Sequence, residues 1–420
     1  MERLCIDGNQ RINGQIRISG SKNSAIKLLA ASLLTNKEVI LYNFPYLLED
    51  IKEKINLMRQ MGSQVSLHEN SVRLISEEIT NDLTDYDCNI RTTYLLAPPQ
   101  LHRLGIAHIP YPGGCKIGER RYDLHFMVWK TMGATVEELS DYIEVRCENR
   151  LKGTDIVFPF PTMGGTENAL LCGVLAQGVT NIHNAYVSPE VADLIEMLIS
   201  MGANINVNGN SFITITGVDS LNGTSHEVIP DRIEALTWMI ACMITKGQLL
   251  LTDVPFAHME VPLIHLRHIG LDFFNNSNSI YINTIDLPYK INPFEIACGT
   301  YPGVVSDMQP FFSILAAQAE GVSRIIDYRY PERFGYIGEL QKMGDGYCVR
   351  SGEVVVKGKI EFKGNIVRAV VLRGGAAILL GSLIAKGRTE IENYKMILRG
   401  YNGLLEKLQG VGISLKVEGE

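Results

Sequence analysis

One unit recurs six times along this 420-residue chain, and that periodicity limits the fold more than any single motif does. Each unit reads as an apolar helix with a polar start, a turn, an apolar strand, a second helix closing on an apolar-glycine pair, and another strand. The closing pairs are Met61-Gly62, Met132-Gly133, Met201-Gly202, Ile269-Gly270, Met343-Gly344 and Val411-Gly412, with successive glycines 71, 69, 68, 74 and 68 residues apart. First helices expected over 23–34, 167–175, 234–244, 311–318 and 375–385 are apolar nearly all round, which suits a helix buried among sheets. Gln177-Gly178, Lys246-Gly247, Glu320-Gly321 and Lys386-Gly387 then read as left-handed glycine caps. Strands are expected at 39–42, 179–183, 249–251 and 322–326, and second helices at 189–200 and 262–268. Six units divide as three plus three, each half holding three buried helices ringed by sheet. Seams near Gly20-Ser21 and Ile229-Pro230-Asp231 give an N-terminal domain at 22–229. Residues 1–21 and 230–420 form the C-terminal domain, because the leading strand at 15–18 belongs with that half.

The first helices begin near Lys22, Arg91, Thr162, Arg232, Asp307 and Arg373. A helix N-terminus carries about half a positive charge and unpaired N–H groups, worth ~0.3 to 1 kcal/mol to an anion. A cation there is mildly unfavourable unless an anion neutralises it. One such residue reads as a solvated cap; four at the same phase of a repeat indicate an anion site, with three helix N-termini from each half facing one cleft. Asp307 is the acidic exception, and reads either as an N-cap or as a base in a cationic field.

Pro112-Gly113-Gly114-Cys115-Lys116-Ile117-Gly118-Glu119-Arg120-Arg121-Tyr122-Asp123 links a β-like run at 106–109 to a helix-like run starting near Leu124. Its glycines suit a loop that opens and closes. Cations around Cys115 favour the thiolate, so it is a candidate acid or nucleophile for an anionic substrate; the competing reading is a bystander in a polar loop. The other cysteines are scattered without a CxxC pair, and most read as buried hydrophobes in a reducing compartment. A net charge of −7 argues against broad nucleic-acid binding, so any anion is held by a local cluster. No apolar run reaches the ~18 to 20 residues of a membrane span, and the start shows no signal peptide. The expected location is cytoplasmic. His258, His265 and His268 read as surface residues rather than metal ligands, and His125 as a structural histidine.

With the repeat, Gly20-Ser21-Lys22-Asn23, the loop through His125, Pro230-Asp231-Arg232-Ile233-Glu234, Ser306-Asp307-Met308-Gln309, Glu332-Arg333-Phe334 and Arg399-Gly400-Tyr401 assembled, the chain resembles the enolpyruvyl transferases end to end. The resemblance implies a two-domain inside-out α/β barrel, six repeated βαβαββ-type units with three per domain, closing over its substrates. It is strongest to the branch whose acceptor is UDP-N-acetylglucosamine. That implies transfer of the enolpyruvyl group of phosphoenolpyruvate to a hydroxyl of that sugar nucleotide, with release of phosphate, early in peptidoglycan synthesis. Cys115 matches the proton-donating cysteine, and Lys22, Arg120 and Arg399 match residues holding phosphoenolpyruvate, with Arg333 and Arg373 as further cations. Asp307 matches the carboxylate that takes the acceptor's proton. Asn23, Arg91, Arg120, Asp123 and Leu124 match acceptor contacts. The chain departs from the family pattern with Arg121-Tyr122 in place of Pro-Val, Phe160 in place of lysine ahead of Thr162-Met163-Gly164, and Arg329 in place of an apolar residue. Acids expected by the pattern are Ser188, Pro331 and Val371 here. Arg121, Tyr122, Phe160, Thr162, Met163, Gly164, Asp307 and Arg329 join the acceptor-binding candidates. Two alternatives follow: an enolpyruvyl transferase with a different nucleotide or sugar alcohol as acceptor, and a non-catalytic sugar-nucleotide-binding regulator. No metal or organic cofactor is implied, since phosphoenolpyruvate is a co-substrate. Neither nucleic acid nor membrane is an expected partner.

Overall fold

The helix Arg232–Thr245 is buried along its whole length, as an all-round apolar segment requires once it leaves water. In this computed structural model, which describes residues 2–83, 90–113, 122–285 and 290–419, it packs against Gln309–Ala317 and Leu372–Ile384. These three helices form the centre of one unit, made of residues 2–19 and the chain from Pro230 onward. Three four-stranded sheets cover them. Burial alternates along their strands, as in Val322–Asp327, where Ser323, Ile325 and Asp327 face inward and Val322 and Arg324 face solvent.

The second unit comprises 20–113 and 122–229 among the described residues, with a core of its own. Its first helices are Lys22–Ser32, Ala97–Leu104 and Met163–Gly173. Pro98 and Pro99 shorten the middle one, and the 3-10 turn Thr92–Leu96 precedes it. Its sheet has three strands among the described residues, so this repeat departs from the βαβαββ pattern; the other five sheets each join one parallel pair to an antiparallel ladder. Each domain is thus an inside-out α/β unit with helices at the centre and sheets outside.

Residues 2–19 lie in the C-terminal unit. Arg3–Asp7 is an inner strand between Arg388–Glu392 and Leu415–Glu418, and Asn13–Arg17 pairs in parallel with Gln248–Thr252. The seam falls after Ser19 rather than after residue 21: Ser21 donates its N–H to Ile229 at 2.7 Å and caps Lys22–Ser32. Gly20 sits where a Cβ would lie 1.9 Å from the Asn43 carbonyl oxygen.

Glycine use differs from the expectation. The first helices end three to five residues before Gly178, Gly321 and Gly387, which sit instead at a joint. Each has positive φ, and each carbonyl accepts an N–H from a second glycine: Gly217 at 3.0 Å, Gly358 at 2.9 Å and Gly8 at 3.0 Å. A Cβ on those second glycines would stand 1.8, 2.1 and 1.8 Å from the carbonyl oxygens of Ala176, Ala319 and Ala385. In the fourth repeat Lys246, not Gly247, takes the left-handed conformation, at φ 53°. Left-handed glycines follow five of the second helices, at Gly62, Gly133, Gly202, Gly270 and Gly412, and among the first helices Gly105 caps Ala97–Leu104 at φ 74°. Gly344 lacks a positive φ; a side chain there would meet Ile360 at 2.5 Å.

Candidate functional site

In the N-terminal unit the Ser21 hydroxyl accepts the Ser24 N–H and starts the helix at Lys22. The cation that this position disfavours is neutralised by Asp50, in the first turn of Glu49–Gln60, 2.6 Å from the Lys22 ammonium. Asn23 follows, half-buried. Two turns of polar contacts anchor this helix. Ser24 Oγ donates to Asp193, whose other oxygen lies 2.7 Å from His226 Nε2. Lys27 forms an ion pair with Glu167 at 2.7 Å and donates to Met163 Sδ at 3.4 Å.

Arg91 immediately precedes Thr92–Leu96, and its charge reaches Tyr94, Tyr122 and His125. Tyr94 stacks on His125 with centroids 4.6 Å apart, and the Tyr122 ring stands 5.6 Å from Tyr94. Asn168 accepts Trp129 Nε1–H at 2.8 Å and donates to His125 Nδ1 at 2.9 Å, so Nδ1 is the acceptor and the neutral ring carries its proton on Nε2. Burial pushes His125 down to about 3. A Cβ at Gly164 would come within 3.2 Å of this imidazole, so a side chain there would press on the ring by a few tenths of an ångström. Thr162 caps Met163–Gly173 by accepting the Gly165 N–H, while Phe160 on the preceding strand is 46% exposed. Asp123 and Leu124 open the helix Asp123–Thr131.

In the C-terminal unit Asp307 lies in the turn Ser306–Met308, which Val305 flanks without a side-chain cap; the capping reading of Asp307 is therefore withdrawn. Its carboxylate accepts from Arg333 Nη2 at 2.7 Å and lies 3.6 Å from Arg373 Nε. Both guanidiniums are at most 5% exposed, which makes their attraction for an anion strong in a poorly screened setting. Arg373 also lies over the Tyr401 ring at 5.0 Å and donates to the Gly400 carbonyl at 3.2 Å, next in the chain to Arg399. Burial raises Asp231 above the usual carboxylate range against the pull of Arg373, and it still caps Arg232–Thr245 through the N–H groups of Ile233 and Glu234. Arg232 is buried over the Tyr301 ring at 5.5 Å. Arg329 stands 5.8 Å from the Tyr330 ring, and Arg333 approaches the same ring at 6.0 Å.

The structure thus gathers Asp307, Arg333 and Arg373 beside the Arg399-Gly400 segment, and separately groups Arg91, Tyr122 and Gly164 around Tyr94 and His125. Cys115, Arg120 and Arg121 lie outside the described residues. Sequence reasoning missed Asp50, Lys27, Glu167, Asp193 and His226. Lys27 and Glu167 carried a readable signal, since each is the one charged residue in the helix expected over 23–34 or 167–175. Among the described residues, no His, Cys, Asp or Glu group of metal-binding size occurs, and no helix is long and apolar enough to cross a membrane.

A family model described as EPSP synthase (3-phosphoshikimate 1-carboxyvinyltransferase) matches residues 6–408. The chain belongs to that family. Relatives within this carboxyvinyltransferase family include two that are each 36% identical to the chain. The UDP-N-acetylglucosamine 1-carboxyvinyltransferase of Orientia tsutsugamushi (strain Ikeda) aligns over 97% of both chains. The UDP-N-acetylglucosamine 1-carboxyvinyltransferase 2 of Carboxydothermus hydrogenoformans aligns over 99% of both. Among solved structures, the enolpyruvyl transferase NikO from Streptomyces tendae superposes with a TM-score of 0.89 at 24% identity, covering 99% of this chain and 98% of its own. EPSP synthase from Acinetobacter baumannii gives 0.77 at 16%, covering 100% of both. At those identities the structural likeness speaks for the carboxyvinyltransferase fold.

Proposed function

We propose that the protein transfers the enolpyruvyl group of phosphoenolpyruvate to a hydroxyl of UDP-N-acetylglucosamine, releasing phosphate, in the cytoplasm and early in peptidoglycan synthesis. The observation that carries this reading is end-to-end similarity, at 36% identity, to relatives named for that activity. In the proposed chemistry Asp307 takes the acceptor's hydroxyl proton, and the freed oxygen bonds to the central carbon of phosphoenolpyruvate as Cys115 protonates its methylene. Phosphate then leaves and the proton returns to sulfur, restoring the vinyl group. Lys22, Arg120, Arg333, Arg373 and Arg399 hold the anionic groups, the preorganised electrostatic contribution that is usually largest. Phosphoenolpyruvate carries the reactive group, so the scheme needs no metal or organic cofactor.

A second reading keeps the reaction and changes the acceptor to another nucleotide or sugar alcohol. It is favoured by Tyr122 and Arg329, an aromatic and a cation where the family pattern has apolar residues. Phosphate release with phosphoenolpyruvate and UDP-N-acetylglucosamine supports the first reading. Release only with other alcohols supports the second, and none with any acceptor leaves a sugar-nucleotide binder. Cys115→Ser is expected to abolish or greatly slow turnover while the fold survives; near-normal turnover would remove the thiol from the scheme.

A further inference from the structure

Asp327 ends the strand Val322–Asp327 with 1% of its surface exposed, and no motif of the sequence includes it. One carboxylate oxygen accepts the N–H groups of Arg329 at 3.0 Å and Tyr330 at 2.8 Å. The other accepts the Ser306 hydroxyl. Ser306 Oγ in turn accepts from Arg333 Nη1 at 3.1 Å, and Arg333 Nη2 donates to Asp307 at 2.7 Å.

Burial raises the Asp327 carboxyl above its ordinary value, opposed by the Ser306 hydroxyl, the Tyr330 N–H and the Arg333 charge; in its ionised form the polarity of this chain is forced. An ionised carboxylate has no hydrogen to give, so Ser306 must donate to it and therefore turns its lone pairs toward Arg333. Guanidinium has only donors, so it fits that arrangement and no other. We propose that Asp327 is a positioning residue: acting through Ser306, it sets the direction of the hydrogen bonds that hold Arg333 against Asp307. The inference rests on the proposed role of Asp307 as base, because it assigns Asp327 a task in that base's alignment.

Asp327→Asn tests it with little change in shape. Asparagine keeps an oxygen for the two backbone N–H groups but sets an amide donor against Ser306 Oγ. Ser306 Oγ then faces donors on both sides, its two lone pairs taken by the amide and by Arg333, and its hydrogen is stranded in a buried site without the carboxylate acceptor. Ser306→Ala removes the joint without stranding that hydrogen. We expect Asp327→Asn to lower kcat/KM for phosphate release by about tenfold, the worth of one charge-assisted hydrogen bond. Ser306→Ala should lose less, and the double variant should match Ser306→Ala, so that the alanine rescues the asparagine. A double variant whose loss is the product of the two single losses, or an Asp327→Asn enzyme of wild-type activity, overturns the proposal. Should Asp327→Asn not fold, Ser306→Thr decides: with its hydroxyl kept it must stand well above Ser306→Ala, and equality of the two overturns the relay. Wild-type protein that releases no phosphate with phosphoenolpyruvate and UDP-N-acetylglucosamine would instead sink the proposed function. The same variants would then be read by thermal midpoint, where rescue by Ser306→Ala supports the relay and additive losses overturn it.

Discussion

Lys27 and Glu167 make a demanding pair of residues in the N-terminal unit, because each buries a formal charge. Burial raises the Glu167 carboxyl above its ordinary range despite the ammonium 2.7 Å away. Lys27→Met should therefore destabilise by about 3 kcal/mol in urea unfolding, since it strands a buried carboxyl. The Lys27→Met/Glu167→Leu double variant should recover most of that loss, and no recovery would show that the pair is not the cause. His102 offers a pH test. Its Nε2–H donates to the carbonyls of Cys172 at 2.9 Å and Leu171 at 3.2 Å, and burial lowers it from 6.5 to about 4. The unfolded chain takes up this proton first as pH falls, so the folded state loses stability from pH 6.5 down to about 4 and levels off below. The slope from this residue is at most about 1.4 kcal/mol per pH unit. Unfolding curves at pH 7 and pH 5 should therefore lie closer together for His102→Asn than for wild type. At the site, Asp307→Asn should cut kcat by about a hundredfold, within the range of a lost general base, and should also lower the thermal midpoint, because the buried Arg333 and Arg373 lose their counter-charge.

Among the elements, the sequence made the second helices plainest. Pro189–Ser200 runs over the span its pattern predicts, because Ser188 caps it, Pro189 opens it and Gly202 turns the chain after it. The first helices begin two to four residues earlier than their apolar runs, at Arg232, Met163, Gln309 and Leu372. Polar first turns hide in a hydrophobicity reading, and the site residues sit in those turns. Glycine was misplaced for a related reason: a glycine after an apolar helix reads as a cap, but whether another strand packs on it is a non-local fact. The joint makes a sharp prediction. Gly217→Ala should destabilise by about 3 kcal/mol or more, since the methyl has only backbone to push against. Gly178→Ala faces open space and only the left-handed backbone penalty, about 1 kcal/mol. Paired unfolding curves in urea check the order, and equal losses would dismiss the close-approach argument.

For the whole molecule, the two separate cores and the inner position of Arg3–Asp7 carry a consequence. Removing residues 1–19 takes an inner strand from one sheet and an edge from another, both in the C-terminal unit. Amide exchange should quicken across Gln248–Thr252, Arg388–Glu392 and Leu415–Glu418 and stay slow in Val179–Ala185 of the other unit. Uniform quickening would mean that the two cores do not unfold separately.

The sixfold period, the three-plus-three division and the membership of the first strand in the C-terminal half were all determined by the sequence alone. Each rests on hydrophobic spacing and chain order, which are one-dimensional properties. Lys22, Arg91, Arg232, Asp307 and Arg373 were legible for the same reason, as residues at one phase of a repeat, whereas Arg333 and Arg399 stood out only through the family resemblance. Only the tertiary structure decided what neutralises them: Asp50 for Lys22, Asp307 for Arg333 and Arg373, and Asp327 behind Ser306. Counter-charges act over a few ångströms of space and carry no periodic signature, so a partner tens of residues away in the chain becomes visible only once folding brings it into contact.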